Sequence, residues 1–221
     1  MCIRDSYRTG QVGQQITLAN STLQSERATG AEAGADWAST NKAFAAQATY
    51  FWTEINRPVS AVLVSSTASS ITNLRENLGQ VQSQGIELAA QVHPMRTLTA
   101  SLGYQYAHAV VTANPAQRQL VGLWIPQVAR HSATGQIRYA SGRVAFTLAA
   151  RTAGRAFDDS SNVYELHSFF VLDAYAETRV HSHLTAYVSI QNLLNRSIET
   201  ARTPYLTLGT PFVAQGGVRI H

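Results

Sequence analysis

Few residues in this sequence have types and spacings that do chemistry. His181 and His183 stand two apart, which puts both imidazoles on one face of an extended strand, a geometry open to a transition metal and equally to a polar turn. Asp158-Asp159 offers adjacent carboxylates to a cation or a polar ligand, and equally to a solvated loop. Arg138, Arg151, Arg179 and Arg219 are spread singly along the chain, and each guanidinium can hold an anion or pair with a carboxylate. Serine, histidine and aspartate are all present, but no Gly-x-Ser-x-Gly elbow and no phosphate-loop pattern occurs, so neither an enzyme nor a cofactor is expected. The single cysteine, Cys2, belongs to Met1-Cys2-Ile3-Arg4-Asp5-Ser6, a string encoded by the end of a transposon used in making sequencing libraries. Residues 1–6 are therefore expected to be foreign and residues 7–221 native, and disulfide, thiolate-metal and cysteine-nucleophile chemistry drop out with Cys2.

Composition narrows the classes that can position these residues. Charged residues make up 14% and apolar ones 45% of the chain, yet no apolar run approaches the roughly eighteen residues of a helical membrane span. A β-barrel escapes that test because its strands alternate. The 17 Lys+Arg are scattered and the net charge is only +4, so a nucleic-acid partner is not expected.

Strict alternation is the dominant signal. Leu184, Ala186, Val188 and Ile190 oppose Thr185, Tyr187, Ser189 and Gln191, and Leu172, Ala174 and Ala176 oppose Asp173, Tyr175, Glu177 and Arg179. Similar runs surround Ala31–Trp37, Phe44–Trp52, Ile86–Val92, Leu98–Tyr104, Val144–Ala150 and Phe212–Ile220. Glu32, Asp36, Glu87, Arg138, Arg151, Asp173, Glu177, Arg179 and Arg219 all fall on the polar face, while Lys42 and Glu54, in apolar register, sit at strand ends. Lipid would enforce such exclusion, and so would the dry core of a sandwich.

Connections separate the two cases. Short ones fall at Ser39–Asn41, His93–Arg96, Ala140–Gly142 and His181–His183, and long ones at Tyr7–Arg27, Arg57–Ile71, His108–Val128, Gly154–His167 and Arg196–Leu208. Short turns at one end and long loops at the other are the mark of an outer-membrane barrel. The expectation is an all-β, antiparallel up-and-down meander of about nine strands, a partial transmembrane β-barrel left as an open, curled sheet with exposed apolar surface.

Several strings resemble the C-terminal barrel of TonB-dependent receptors. They are Leu18-Ala19-Asn20 to Glu26 followed by Glu32-Ala33-Gly34; Asn77-Leu78-Gly79 followed by Gly85-Ile86-Glu87-Leu88; Ile125-Pro126 to Arg130-His131; Gly154 to Asp159; and Val188 to Asn195 with Asn192-Leu193-Leu194-Asn195. Gly85, Glu87, Asn192, Leu193 and Asn195 carry the signature and are expected to shape the barrel: Gly85 by permitting close approach, Glu87 by facing a polar lumen, the asparagines by bonding nearby backbone.

The resemblance implies transport of a scarce nutrient, such as a ferric siderophore, across the outer membrane of a Gram-negative bacterium. It also implies outer-membrane lipid around the wall and TonB as a partner acting through an N-terminal plug. In such barrels about 22 strands surround a plugged lumen, so about nine strands are less than half the wall. Ligand-binding residues are not fixed by the sequence; Arg151, Asp158 and Asp159 are the candidates, with the four arginines expected to pair with Asp173, Glu177 or Glu87. Such receptors typically end on an aromatic residue, so either His221 substitutes for it or the native end lies further on. On the residues alone, a complete small outer-membrane barrel (pore, adhesin or lipid-modifying enzyme) and a secreted β-sandwich binding module stay open as alternatives.

Overall fold

Alternation builds strands whose two faces differ, and the computed structural model shows what each face meets. Residues 10–12, 15–67, 70–77, 79–115 and 117–220 are described; the opening hexapeptide and His221 lie outside them. In chain order the strands are β1 (Gly10–Val12), β2 (Gln15–Leu18), β3 (Arg27–Ala38), β4 (Phe44–Asn56), β5 (Val59–Ser66), β6 (Ile71–Asn77), β7 (Gln80–Met95) and β8 (Leu98–Ala113). They continue as β9 (His131–Ser141), β10 (Val144–Ala153), β11 (Ala156–Phe157), β12 (Glu165–Leu166), β13 (Phe169–His181), β14 (Leu184–Gln191), β15 (Glu199–Ala201), β16 (Thr207–Leu208) and β17 (Val213–Ile220). The one helical turn among the described residues is a 3-10 turn at Arg118–Leu120.

Nine of these strands form one antiparallel sheet in the order β17-β14-β13-β10-β9-β8-β7-β4-β3. Neighbours in the sheet are neighbours in sequence apart from the small loop strands, which is the expected meander. The sheet does not close on itself: among the described residues β3 and β17 each keep an unpaired edge.

Register carries the alternation from strand to strand. Trp37 opposes Ala46, Ala46 opposes Ala90, and Ala90 opposes Leu102. Further along, Ile137 opposes Leu148, Leu148 opposes Ala174, Ala174 opposes Ile190, and Ile190 opposes Ala214. The apolar face is therefore continuous across the whole sheet. Among the described residues no second layer covers it: Trp37, Leu102, Ile137, Val188 and Val218 are 60%, 58%, 50%, 50% and 64% exposed. A sandwich would bury these side chains, so the sandwich alternative fails on this face.

Turns and loops segregate as expected, with corrections in detail. At one end the connections are short, Arg96-Thr97, Gly142-Arg143 and Ser182-His183 among them, and β7 runs through Pro94 to Met95 where a turn beginning at His93 was expected. At the other end, stretches expected to be plain loops pair with one another. The Arg57–Ile71 stretch contains β5, whose hairpin with β6 is joined by the β1–β2 pair in a four-stranded sheet ordered β1-β2-β6-β5, with β2 and β6 parallel. The later loops carry the short pairs β11–β12 and β15–β16. Backbone N–H and C=O groups lifted off the main sheet find partners in these ladders. Strands β7 and β8 reach 16 residues each, longer than the 9–11 that cross a hydrocarbon layer, and their excess length supports this loop layer. There Val62 and Leu120 are buried and Leu123 packs against them.

Candidate functional site

Residues with chemistry fall into two places, the polar inner face of the sheet and the loop cluster at the long-loop end. Both follow from the alternation, which sends every second residue inward, and from the hairpins, which gather the loops at one end.

Charge on the inner face is divided. Strands β3, β4, β7 and β8 present Glu32, Asp36 and Glu87 there and no cation, whereas β9, β10, β13, β14 and β17 present Arg138, Arg151, Arg179 and Arg219 with Asp173 and Glu177. Glu87 accepts a 2.9 Å hydrogen bond from Gln105 Nε2. Gly85 lies where Phe51 and Tyr106 converge: a Cβ would collide with the Tyr106 carbonyl oxygen and lie 2.8 Å from Phe51 Cζ.

Pairing of the arginines with lumenal carboxylates is realised at one position. Arg219 Nη1 lies 3.9 Å from Glu177 Oε2, while the side chains of Arg138, Arg151 and Arg179 have no ionic or hydrogen-bonding partner among the described residues. The acids are engaged elsewhere. Asp173 Oδ1 accepts the Asn192 N–H at 2.8 Å, Glu177 accepts the Tyr175 hydroxyl at 2.8 Å, and Glu87 takes Gln105. Arg151 stands between Thr134 and Val171 on the inner wall.

Asn192 and Asn195 follow the end of β14. Both have positive φ, 50° and 47°, a region that asparagine tolerates better than most residues. Asn192 is 1% exposed, donates to the Arg196 and Thr210 carbonyls at 2.8 and 3.0 Å, and accepts the Arg196 N–H at 2.8 Å. Asn195 Oδ1 accepts the Phe212 N–H at 3.0 Å, and Leu193 N–H reaches the Leu172 carbonyl at 2.7 Å.

The twin aspartates do different work. Asp159 folds its own loop by accepting the N–H groups of Ser161, Val163 and Tyr164 at 3.0, 3.0 and 2.8 Å. Asp158 ties three loops together. Its Oδ2 accepts the Thr203 hydroxyl at 2.6 Å and the N–H groups of Arg202 and Thr203 at 2.8 and 2.7 Å, and its Oδ1 accepts Gln127 Nε2 at 2.9 Å. Burial pushes this carboxyl up, but the bonds from Thr203, Gln127 and the Arg202 backbone together outweigh it and hold it below the ordinary aspartate range. A folded-state value below the unfolded one contributes stability above the unfolded pKa and loses it as pH falls through the folded value. Proteolysis of the 199–208 segment is accordingly expected to be slow at neutral pH and to accelerate below about pH 4. Asp158→Ala is expected to cost roughly 1–3 kcal/mol of loop docking and to abolish that pH dependence; equal cleavage in the variant and the parent at pH 7 would refute the latch.

Beside this latch, sequence reasoning passed over Trp124. Arg130 Cζ stacks 3.7 Å from its ring centre, Arg155 lies 5.5 Å away, and the Phe157 ring meets it edge-on at 5.5 Å. Asn162 clamps the Trp124 backbone through both N–H and C=O, at 2.8 and 3.0 Å. On the latched 199–208 segment Glu199 meets His167 Nδ1 at 2.9 Å and Arg202 at 3.6 Å. The signal was faint: an aromatic and two arginines lie inside two of the quoted strings, but nothing in their spacing brings them together. His181 and His183, at the turn end, have ring centres 6.3 Å apart, and among the described residues no group of three potential ligands stands close enough to hold a metal.

Comparison with known proteins decides the family. The family described as TonB dependent receptor-like, beta-barrel, matches residues 3–193. The chain belongs to this family. Several solved structures share the fold. The siderophore receptor PiuA from Acinetobacter baumannii superposes with a TM-score of 0.75 at 21% identity, over 92% of this chain and 30% of the receptor. The ferric yersiniabactin uptake receptor FyuA from Yersinia pestis gives 0.68 at 18%, over 88% and 30%. The copper transporter OprC gives 0.71 at 13%, over 90% and 32%. The chain thus spans about a third or less of each of these proteins. A search of curated proteins finds no match.

Proposed function

We propose that this chain forms the C-terminal part of the barrel wall of an outer-membrane receptor that imports a scarce nutrient, a ferric siderophore or similar metal chelate, with energy delivered by TonB through an N-terminal plug. The observation that carries the reading is the uncovered apolar face, continuous over nine strands, with charge away from the strand ends confined to the opposite face. Such a face is stable against acyl chains and not against water. Family membership and the likeness to receptors for iron chelates and to a copper transporter support the cargo class. By the same reading the long-loop end lies outside the cell and the short turns in the periplasm.

Two measurements test it. The intact receptor is expected to fold in lipid vesicles, giving a band that migrates differently before and after boiling, and to aggregate in detergent-free buffer; a monodisperse soluble protein in buffer would refute the membrane reading. Cells carrying the gene are expected to accumulate labelled iron from at least one chelate only while TonB is energised. Uptake of no chelate by cells that display the folded receptor would overturn the cargo assignment.

A further inference from the structure

Between the inner wall and the β15–β16 hairpin lies a cavity of about 430 Å³, within the range of small-molecule sites. Arg151, Ala153 and Phe169 line it from β10 and β13, and Ile198, Thr200 and Thr210 line it from the hairpin and its flanks. Ala156 and Leu166, the buried residues of the β11–β12 pair, complete its apolar surface. Other hollows of the main sheet are lined by its own strands and turns, and so have a single wall. This one has two, both supplied by the chain itself.

One charge in the lining is uncompensated. Glu199 meets His167 at 2.9 Å and Arg202 at 3.6 Å, whereas the Arg151 side chain has no ionic or hydrogen-bonding partner among the described residues. Asp173, two positions beyond the register partner of Arg151, is occupied by the Asn192 N–H. A guanidinium set among apolar side chains is complemented by a carboxylate on an apolar body. The planar fork takes both carboxylate oxygens through parallel hydrogen bonds, and the body displaces water from Ala153, Leu166, Phe169 and Ile198. A dianion such as phosphate finds no second unpaired arginine or lysine in this lining and has Glu199 beside it.

We infer that this cavity binds a small carboxylic acid with an apolar body, its carboxylate on Arg151 and its body beneath the β15–β16 hairpin. The site is separate from the chelate cargo proposed above, and relies on that reading only for the lipid in which the protein folds. To test it, the intact receptor in lipid nanodiscs is dialysed against labelled phenylacetate at neutral pH, with empty nanodiscs as the blank and phenylacetamide as the uncharged probe. Arg151→Gln removes the cation, and Arg151→Lys keeps the charge without the fork. Migration before and after boiling reports whether each variant folds, and the comparison of the two probes needs no variant.

The wild type is expected to take up phenylacetate saturably, with phenylacetamide, and phenylacetate on Arg151→Gln, each bound about tenfold more weakly or worse and Arg151→Lys in between. Bound phenylacetate is also expected to slow proteolysis of the 199–208 segment in the wild type and not in Arg151→Gln. The inference is overturned by a folded wild type that shows no saturable uptake, by equal affinity for the two probes, or by undiminished affinity in Arg151→Gln. Unchanged proteolysis at saturating phenylacetate overturns it as well, because the ligand would then lie outside the hairpin. Binding here needs neither a chelate nor TonB, so its failure and a failure of transport are read separately.

Discussion

Replacing Val188 with arginine in the intact receptor is expected to cost roughly 2–4 kcal/mol of folding free energy in lipid, whereas Ser189→Arg, one residue on, is expected to cost under about 1. Val188 is 50% exposed in the middle of β14, between Ala176 and Gly216 on the uncovered face. An arginine there meets hydrocarbon at depth, where its charge can escape only by stretching towards the headgroups. Ser189 lies between Tyr175 and Gln215 on the inner face, where water reaches the guanidinium. Urea titration of receptor folded into thin-bilayer vesicles separates the two. Equal costs, or the larger cost at Ser189, would mean that the apolar face does not touch lipid.

Gly85→Ala is expected to destabilise the barrel by about 1–3 kcal/mol, the range for forcing atoms into a filled space, while Gly135→Ala is expected to be neutral or mildly stabilising. At Gly85 the added carbon would collide with the backbone oxygen of Tyr106, which cannot move without breaking the β7–β8 ladder, and would press on the Phe51 ring at 2.8 Å. At Gly135 the nearest atom is the Ser101 oxygen at 3.9 Å, an ordinary contact. The same urea titration reads both. A neutral Gly85→Ala would show that the strands can part locally, and that the glycine does not set the approach of β4 and β8 to β7.

The main sheet was legible in the sequence because its physics is local. A strand with different solvents on its two faces must alternate, and Leu184 to Gln191 or Leu172 to Arg179 does so residue by residue. The loop strands were not legible, because pairings such as Gln15–Leu18 with Ile71–Leu74 join segments more than fifty residues apart, with no two-faced environment to imprint a period. The aspartates show the same limit at the candidate site. Adjacent in sequence and identical in chemistry, they differ only in reach: Asp159 serves its own turn, and Asp158 serves residues more than thirty positions away. Pairing of the arginines was misjudged because alternation fixes which face a charge takes but not its height along the strand, and the acids had nearer donors in Asn192, Tyr175 and Gln105.

Asp158, held by Gln127 from one long loop and by Arg202 and Thr203 from another, joins three loops of the rim into a single plate instead of separate fingers. If capture takes place at this rim, as the proposed function implies, grafting one of these loops from a relative to redirect it should therefore fail alone. Specificity at this rim would have to be transplanted, and would have to evolve, as a set of three.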